Sequence, residues 1–399
     1  MNIHMFSYRP NRGNTGGSGG VNYKLLVANE KYNVIDGLCH YFKPSTPNAE
    51  VLNKSKNSKY LFLRKYSVID IIIKKRQLNR AIDWIKKLSE TNDLKKDDLY
   101  IFHDFEATYA FTKIYPDYDN TIFIYHQQGS LYDEWSASFS IQVKNYKHYL
   151  DRSLFNVISK VKVMGFPSEG ARKVLMNSSE DLSSILQGKE YRILYNGVDI
   201  AENIEPTSKI LDYIKRIEIG AGPKFITVSS LNHAKAVERI PEYLLSVKQK
   251  YPNFLWVIIG NGVKKDELKF NIDKYGLKDN LIWIDFPIQN TDVLAILSIT
   301  DYYIMMHRWS IFDLATLEAM GMGNVPILSN VGGNPEVVID NNGLLIDEKN
   351  KNCVLEYIED TYPNIDFLKE KNKEIQKSHF SMKQMLQSYK NIIDECKGS

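Results

Sequence analysis

The chain contains little cysteine. Its 399 residues include three, Cys39, Cys353 and Cys396, which lie far apart and form no CxxC pair or Cys/His cluster. An odd, scattered set of cysteines predicts neither a disulfide framework nor a zinc site. We therefore expect a protein of the reducing cytoplasm.

Long apolar runs and a strong excess of charge are also missing. Apolar stretches such as FLWVIIG at 254–260 are much shorter than the roughly 20 residues of a membrane-spanning helix. The first residues, MNIHMFSYRP, lack the basic and apolar regions of a secretory signal. A net charge of +3 is too small to indicate a nucleic-acid partner, because such partners usually require a strongly basic face.

The composition is that of a globular protein, with 43% hydrophobic and 25% charged residues over a length typical of two domains. One segment, VIDIIIKKRQLNRAIDWIKK at 68–87, combines helical apolar spacing with basic residues. We interpret it as a helix packed on a sheet with a solvated basic face. The alternative is a peripheral surface that meets anionic lipid at the inner face of the membrane.

Nine short apolar runs, each followed by a polar or glycine-containing turn and a helical pattern, predict βαβ units and parallel sheets. The runs are NIHMFSY (2–8), LYIFHDF (99–105), TIFIYHQ (121–127), KVKVMGF (160–166), KFITVSS (224–230), FLWVIIG (254–260), NLIWIDF (280–286), YYIMMH (302–307) and VPILSN (325–330). Nine strands exceed one doubly wound domain. We therefore predict two domains, 1–205 and 206–375, and a helical segment, 376–399, that packs back on the first domain.

The first strand runs into a glycine-rich turn, RPNRGNTGGSGG, placed before a predicted helix. Backbone amides at such a helix start can bind an anion, and the candidates are Gly16, Gly17 and Gly19. The spacing does not match GxGxxG. A plain flexible loop is therefore the alternative.

The stretch MHRWSIFDLATLEAMGMGNVPILSNVGGNPEVV at 306–338 resembles the signature of retaining glycosyltransferase family 4, whose C-terminal domain is similar to that of glycogen synthase. The matching residues are Arg308, Trp309, Phe312, Leu314, Leu317, Glu318, Ala319, Met320, Gly323, Gly332, Gly333, Pro335 and Glu336. Three further segments fit in the same order, namely YNGVD (195–199), FITVSSLNHAKAVERIPEYL (225–244) and IIGNG (258–262). The resemblance covers residues 195–345 well and the first half weakly.

The resemblance implies an α/β protein of the GT-B fold, with two facing Rossmann-like domains, an interdomain cleft and a C-terminal crossover helix. The implied reaction moves a sugar, with retention of configuration, from a nucleotide-sugar donor, taken to be a UDP-sugar, to a glycan, lipid-linked or glycoprotein acceptor. The implied context is bacterial surface polysaccharide or glycoprotein synthesis. The resemblance implies that neither a metal nor a cofactor is required, since a lysine and helix dipoles would neutralise the leaving diphosphate.

The resemblance also assigns roles to single residues. Lys235 is the cation for the diphosphate, Glu318 grips the ribose hydroxyls, and His126 faces the donor sugar. The further substrate-binding candidates are Ser230, Gly260, Asn261, Gly262, Phe286, Arg308, Ser310, Asp313, Leu314 and Ala315. For Glu318 the structural alternative is an exposed helical glutamate, and for His126 it is a structural histidine. His103 and Asp104 compete for the role of His126.

Three positions depart from the family pattern. Ser310 stands where the family has a glutamate that holds a sugar hydroxyl, Asp313 where it has a glycine, and Ser230 where it has an arginine. We expect Asp313 to cap its helix and Ser310 to face the donor sugar. The alternative function is a non-catalytic GT-B partner, a chaperone subunit of another glycosyltransferase. An epimerase or a phosphorylase on the same scaffold has less support. Epimerases usually show a different histidine and glutamate arrangement, and the lysine context that the pyridoxal of a phosphorylase requires is not recognisable.

Overall fold

The computed structural model describes residues 1–8, 18–43, 67–127, 129–136 and 144–398. The chain divides into two compact units, which we call unit 1 and unit 2. Unit 1 comprises Met1–Tyr195 and Met385–Ser399, and unit 2 comprises Asn196–Gln384. The sequence predicts a later boundary, between residues 205 and 206, and an earlier start of the C-terminal segment, at residue 376.

Unit 1 contains a six-stranded parallel sheet in the order β2-β1-β3-β4-β5-β6. Its strands are β1 (Ile3–Ser7), β2 (Leu38–Phe42), β3 (Leu99–Phe102), β4 (Thr121–Ile124), β5 (Val163–Phe166) and β6 (Tyr191–Ile193). Its first helices are α1 (Ser18–Tyr32), α2 (Ser67–Thr91), α3 (Phe105–Ile114), α4 (Leu131–Ser136), α5 (Lys144–Lys160), α6 (Glu169–Met176) and α7 (Glu180–Gln187). Strands β3, β4 and β5 are buried at every residue, as expected for central parallel strands covered on both faces.

The basic segment at 68–87 is confirmed as a helix, α2. Leu78, Ala81 and Ile85 are buried and share one face, because helical residues three, four and seven apart point the same way. Arg76 and Arg80 on the same helix are exposed. The helix therefore packs on unit 1 and leaves a basic face in solvent.

Unit 2 has a second six-stranded parallel sheet, in the order β12-β11-β10-β7-β8-β9. The strands are β7 (Lys224–Val228), β8 (Leu255–Ile259), β9 (Leu281–Ile284), β10 (Tyr302–Met305), β11 (Val325–Ser329) and β12 (Leu344–Ile346). The helices are α8 (Leu211–Glu218), α9 (Ile240–Lys250), α10 (Lys265–Lys274), α11 (Asn290–Ser298), α12 (Leu314–Gly321), α13 (Cys353–Thr361) and α14 (Ile365–His379). All nine predicted strands are present, and the expectation of two Rossmann-like domains is confirmed.

The last helix, α15 (Met382–Gly398), begins in unit 2 and continues into unit 1. Its residues Tyr389, Ile392 and Ile393 are buried. Arg192 of β6 forms an ion pair with Glu395 of this helix at 2.7 Å. These contacts make the end of the chain a part of unit 1.

Candidate active site

The candidate site lies at the carboxyl edge of the second sheet, where β7 and β10 run side by side. The strand order reverses here, because β8 and β9 follow on one side of β7 while β11 and β12 lie beyond β10. Ligands of open α/β sheets bind at such a reversal. The loops after these two strands carry Lys235 and Asp313.

Lys235 and Asp313 form an ion pair, with 2.5 Å between the lysine Nζ and the aspartate Oδ1. The other carboxylate oxygen, Oδ2, accepts hydrogen bonds from the hydroxyls of Tyr303 at 3.4 Å and Thr316 at 3.3 Å. The lysine side chain is 23% exposed and the aspartate side chain 13% exposed. The predicted diphosphate cation thus already contacts an anion, in a place that solvent still reaches.

His307 is fully buried beside this ion pair. Its Nε2 lies 3.4 Å from Nζ of Lys235 and 4.0 Å from Oδ2 of Asp313. Burial and the positive charge of Lys235 lower the pKa of His307 to about 4. The imidazole is therefore neutral at pH 7 and adds no charge to the site.

Asp313 is ionised at neutral pH. Burial by itself would raise its pKa, but the charge of Lys235, the neighbouring His307 and the hydrogen bonds from Lys235 and Thr316 together outweigh burial and lower the pKa of this carboxyl to about 2. Asp313 does occupy the N-cap position of α12, yet its side chain makes no capping hydrogen bond. The expectation that its carboxylate caps the helix is therefore wrong. The carboxylate forms an ion pair with the ammonium of Lys235 instead, because a charged donor is a stronger hydrogen-bond partner than a neutral peptide N–H.

A second ion pair fixes the loop after β7. Nη2 of Arg308 lies 2.7 Å from Oε1 of the buried Glu238, and its Nη1 donates to the carbonyl oxygen of His233 at 2.6 Å. The backbone N–H of Arg308 donates to the carbonyl of Ala234 at 2.9 Å. Arg308 is predicted from sequence to bind substrate. In the structure its side chain holds the loop that carries Lys235 against the end of β10.

Two glycines allow neighbouring loops of this edge to approach closely. A Cβ on Gly332 would lie 1.8 Å from the carbonyl oxygen of Ser310, and a Cβ on Gly260 would lie 1.8 Å from the carbonyl oxygen of Ser229. Gly332 also has a φ of +53°, which disfavours other residues. Both positions therefore require glycine for the packing of the loops.

The other predicted residues of the 306–338 stretch lie around the start of α12. Leu314, Ala315 and Glu318 are half-buried and belong to the first five residues of this helix. Leu314 and Glu318 share a face, because they are four residues apart. Ser310 is buried, and its carbonyl accepts a hydrogen bond from the N–H of Gly333 at 3.1 Å. The helix thus presents its N-terminus, where backbone N–H groups favour anions, beside the ion pair.

The predicted base-binding residues follow β8 and β9, further along the same edge. The side-chain amide of Asn261 donates to the carbonyl of Asp285 at 3.0 Å and so connects the two loops. Gly262 lies in the first loop, and Phe286, 36% exposed, lies in the second. Ser230, in the loop after β7, is exposed.

His126 lies in unit 1, two residues after β4, and is half-buried. Its Nε2 is 3.1 Å from Nδ1 of His103, which follows β3 and is 1% exposed. The ring of Tyr389 also stacks on His103, with centroids 5.7 Å apart and planes 5° apart. Burial lowers the pKa of His103 well below its usual range. His103 is therefore an enclosed neutral partner of His126.

Asp104 has a structural role in unit 1. Its Oδ1 accepts the N–H of Ala107 at 2.8 Å, which caps α3, and its Oδ2 accepts the N–H of Tyr8 at 2.6 Å. Both oxygens thus bind backbone groups of the fold.

The glycine-rich turn is described only in part. Gly16 and Gly17 lie outside the described residues, and Gly19 lies in the first turn of α1. Within the described ranges, no group of three His, Cys, Asp or Glu residues could hold a metal ion. Across the same ranges, no helix is long and apolar enough to cross a membrane.

Sequence reasoning misses three residues of the ion-pair cluster: Thr316, in the first turn of α12, and two residues of one strand segment, Tyr303 and His307. Tyr303 and His307 belong to the run YYIMMH, which the sequence pattern identifies only as a strand. A signal is present for His307, because it lies two residues after β10 and polar residues at this edge often serve sites. Tyr303 lies inside the strand and gives no such signal.

Comparison with known proteins assigns this region to a family. Residues 212–377 match the family model described as Glycosyl transferases group 1. The chain is 25% identical over 195 residues to a subunit of phosphatidylinositol N-acetylglucosaminyltransferase from Arabidopsis thaliana. That match covers 46% of this chain and 43% of the relative, so the chain spans less than half of the relative's length.

Two solved structures share the whole fold at low sequence identity. One is a sucrose-phosphate synthase from Thermosynechococcus elongatus, with a TM-score of 0.68, 12% identity, and coverage of 100% of this chain and 99% of the other. The second is described as trehalose-6-phosphate from E. coli bound with UDP-2-fluoro glucose, with a TM-score of 0.68, 13% identity and the same coverage. The chain therefore has the GT-B fold, and its residues 212–377 match a glycosyl transferases group 1 domain.

Proposed function

We propose that this protein is a glycosyltransferase that takes a sugar from a nucleoside-diphosphate donor, a UDP-sugar, and passes it to a glycan, lipid-linked or glycoprotein acceptor. One observation carries the proposal. Lys235 and the N-terminus of α12 meet at the reversal of the second sheet, inside the segment that matches the family model. A cation beside a helix N-terminus is suited to binding phosphate.

The chemistry fits a leaving diphosphate. Negative charge grows on the diphosphate as the bond to the sugar breaks, so groups that bind the charge more strongly at that point lower the barrier. Lys235 can supply a positive charge, and the backbone amides at Leu314 and Ala315 can supply helix-terminal hydrogen bonds. A neutral His307 leaves the lysine as the cation of this cluster.

The remaining roles rest on the family resemblance. We propose that Glu318 binds the ribose hydroxyls, that the loops with Asn261 and Phe286 receive the base, and that configuration is retained. In unit 1, His126 is the residue proposed to meet the donor sugar. UDP-2-fluoro glucose is bound in one structure of the same fold, which supports the choice of uridine.

A second candidate function is a non-catalytic partner of another glycosyltransferase. Its support is the engagement of Lys235 by Asp313, together with serines at positions 230 and 310. The relative from Arabidopsis thaliana is itself described as one subunit of its transferase. This candidate predicts little or no donor turnover.

A ligand screen separates the two functions. Thermal unfolding is followed with UDP, GDP, ADP and a set of UDP-sugars, and donor turnover is followed by release of nucleoside diphosphate. The proposal expects a uridine nucleotide at about 100 to 1,000 times its Kd to stabilise the protein by about 3 to 4 kcal/mol, and expects a UDP-sugar to be consumed when an acceptor is present. Stabilisation without turnover favours the partner function. No stabilisation by any nucleotide contradicts both donor binding and the proposed activity.

A further inference from the structure

We propose that Asp313 is an internal competitor of the donor's diphosphate for Lys235, so that this carboxylate sets how strongly the site binds phosphate charge. The inference rests on the proposed function, because it concerns the same site. It makes Asp313 a specificity-determining residue. The competition is selective, since it acts on charged ligands and leaves an uncharged nucleoside unaffected.

The first support is the geometry of the ion pair. The carboxylate Oδ1 lies 2.5 Å from the ammonium Nζ, which is the position that a phosphate oxygen would take on the same lysine. The carboxylate Oδ2 is held by the hydroxyls of Tyr303 and Thr316. Lys235, Tyr303 and Thr316 thus hold the Asp313 carboxylate where a phosphate group could bind.

The second support is the location of the negative charge. Asp313 occupies the N-cap position of α12 without making a capping hydrogen bond. Its charge therefore lies at the helix end that favours anions, while the backbone amides there are left for another acceptor. An incoming phosphate would find these amides available but would be repelled by the carboxylate next to them.

The third support is accessibility. The lysine side chain is 23% exposed and the aspartate side chain 13% exposed, so a solute can reach the pair. Lysine has a flexible four-carbon side chain and can turn from the carboxylate to a phosphate. Arg308, another cation of this edge, is held by Glu238 at 2.7 Å. A phosphate that binds here must therefore compete for Lys235.

The competition has a consequence for catalysis. A free nucleoside diphosphate carries more negative charge at pH 7 than the same diphosphate esterified to a sugar, because the second pKa of a terminal phosphate is about 6. Asp313 therefore weakens binding of the product more than binding of the donor. The carboxylate favours release of the product and, with it, the next round of transfer.

The test compares UDP and uridine binding by calorimetry in three proteins. These are the wild type, Asp313→Asn, which removes the charge, and Asp273→Asn, which removes an exposed carboxylate paired with Lys278 at 3.0 Å. We expect Asp313→Asn to bind UDP about tenfold more tightly or better, because one like charge near the phosphates is removed. Uridine affinity should not change in either variant, and UDP affinity should not change in Asp273→Asn. Should the amide variant fail to fold, Asp313→Ser serves instead, since serine is a favoured N-cap residue.

Three results would overturn the inference. UDP bound with equal affinity by wild type and Asp313→Asn would show that the carboxylate does not compete. UDP bound more weakly by the variant would show that Asp313 supports the ligand, and equal tightening of UDP and uridine would show a structural effect. In each of these cases the proposed function stands, because UDP still binds. If no protein in the series binds UDP, both the inference and the proposed function are wrong.

Discussion

Each unit has a lysine–carboxylate pair that involves the helix following a central strand, and the two pairs differ in burial. In unit 1, Lys74 of α2 lies 2.6 Å from Glu106 in the first turn of α3, and the side chains are 2% and 6% exposed. In unit 2, Lys235 lies 2.5 Å from Asp313, and these side chains are 23% and 13% exposed. We call Lys74–Glu106 the sealed pair and Lys235–Asp313 the open pair. The sealed pair can serve only the packing of its unit, whereas the open pair can exchange one partner for a ligand.

The neighbours of the two pairs support this distinction. Gln77 donates to the same Glu106 oxygen at 3.0 Å, and the ammonium of Lys74 lies 5.7 Å from the centre of the Phe105 ring. These groups enclose the Lys74–Glu106 ion pair within the protein. The pair of unit 2 lies instead at the edge where the sheet order reverses. Similar chemistry in the two units therefore has different uses, decided by access to solvent.

The largest expected effect is on the sealed pair. Lys74→Ala leaves the buried carboxylate of Glu106 without its lysine, and we expect the free energy of unfolding to fall by about 3 to 5 kcal/mol. Urea denaturation measures the loss. Lys74→Met with Glu106→Gln, which removes both charges, should cost much less than the single change. A loss below about 1 kcal/mol for Lys74→Ala, the range of an exposed pair, would remove the distinction between the two pairs.

The open pair should respond in activity more than in stability. Lys235→Ala removes the cation assigned to the leaving diphosphate, and we expect turnover to fall by about 100-fold or more. Donor affinity should fall less than turnover. Lys278→Ala is the matched control, because Lys278 forms an exposed pair with Asp273 at 3.0 Å and lies before β9, outside the proposed donor site. Unchanged turnover in Lys235→Ala would contradict the role of this lysine.

Acid should weaken unit 2 through His307. In the folded protein the pKa of His307 is about 4, against an ordinary value of 6.5. Between pH 6.5 and pH 4, His307 is therefore protonated in the unfolded chain and neutral in the folded chain. Stability due to this group is complete above pH 6.5 and falls with pH until about pH 4, by about 1.4 kcal/mol per unit.

Urea denaturation at pH 6.5 and pH 5 checks this sign and size. Wild type should lose about 2 kcal/mol more than His307→Asn over this interval. Burial also lowers the pKa of His40 in unit 1 to about 4. His40→Asn is therefore the matched variant in unit 1 with which His307→Asn is compared. Equal pH dependence in wild type and His307→Asn would show that His307 is not held neutral.

The strands of the fold are largely predictable from sequence. Runs such as FLWVIIG are apolar throughout because parallel strands are buried on both faces, and all nine predicted strands are present. The three strands outside these nine clear runs are short or half-exposed. Strand β2 (LCHYF) is mostly half-buried, and β6 and β12 have three residues each. Such strands depend on pairing with a neighbour and carry a weak local signal.

The contacts within the site are less predictable. Sequence order places Lys235 and Asp313 after two strands, and neighbouring parallel strands bring such residues to one edge. It does not show that β7 neighbours β10, or that two side chains 78 positions apart form an ion pair. The expectation that Asp313 caps its helix is wrong for this reason. Its carboxylate pairs with Lys235, which is distant in sequence, and not with the N–H groups of its own helix.

Hydrogen exchange with and without UDP tests most directly the claim that unit 2 binds a nucleoside diphosphate beside Lys235. Amide exchange is followed by mass spectrometry on the wild-type chain. We predict that UDP slows exchange in the loop at 229–236 and at the start of α12, near Leu314 and Ala315, because phosphate oxygens accept hydrogen bonds from these amides. Slower exchange that is confined to unit 1, or no change in either unit at saturating UDP, would contradict this claim.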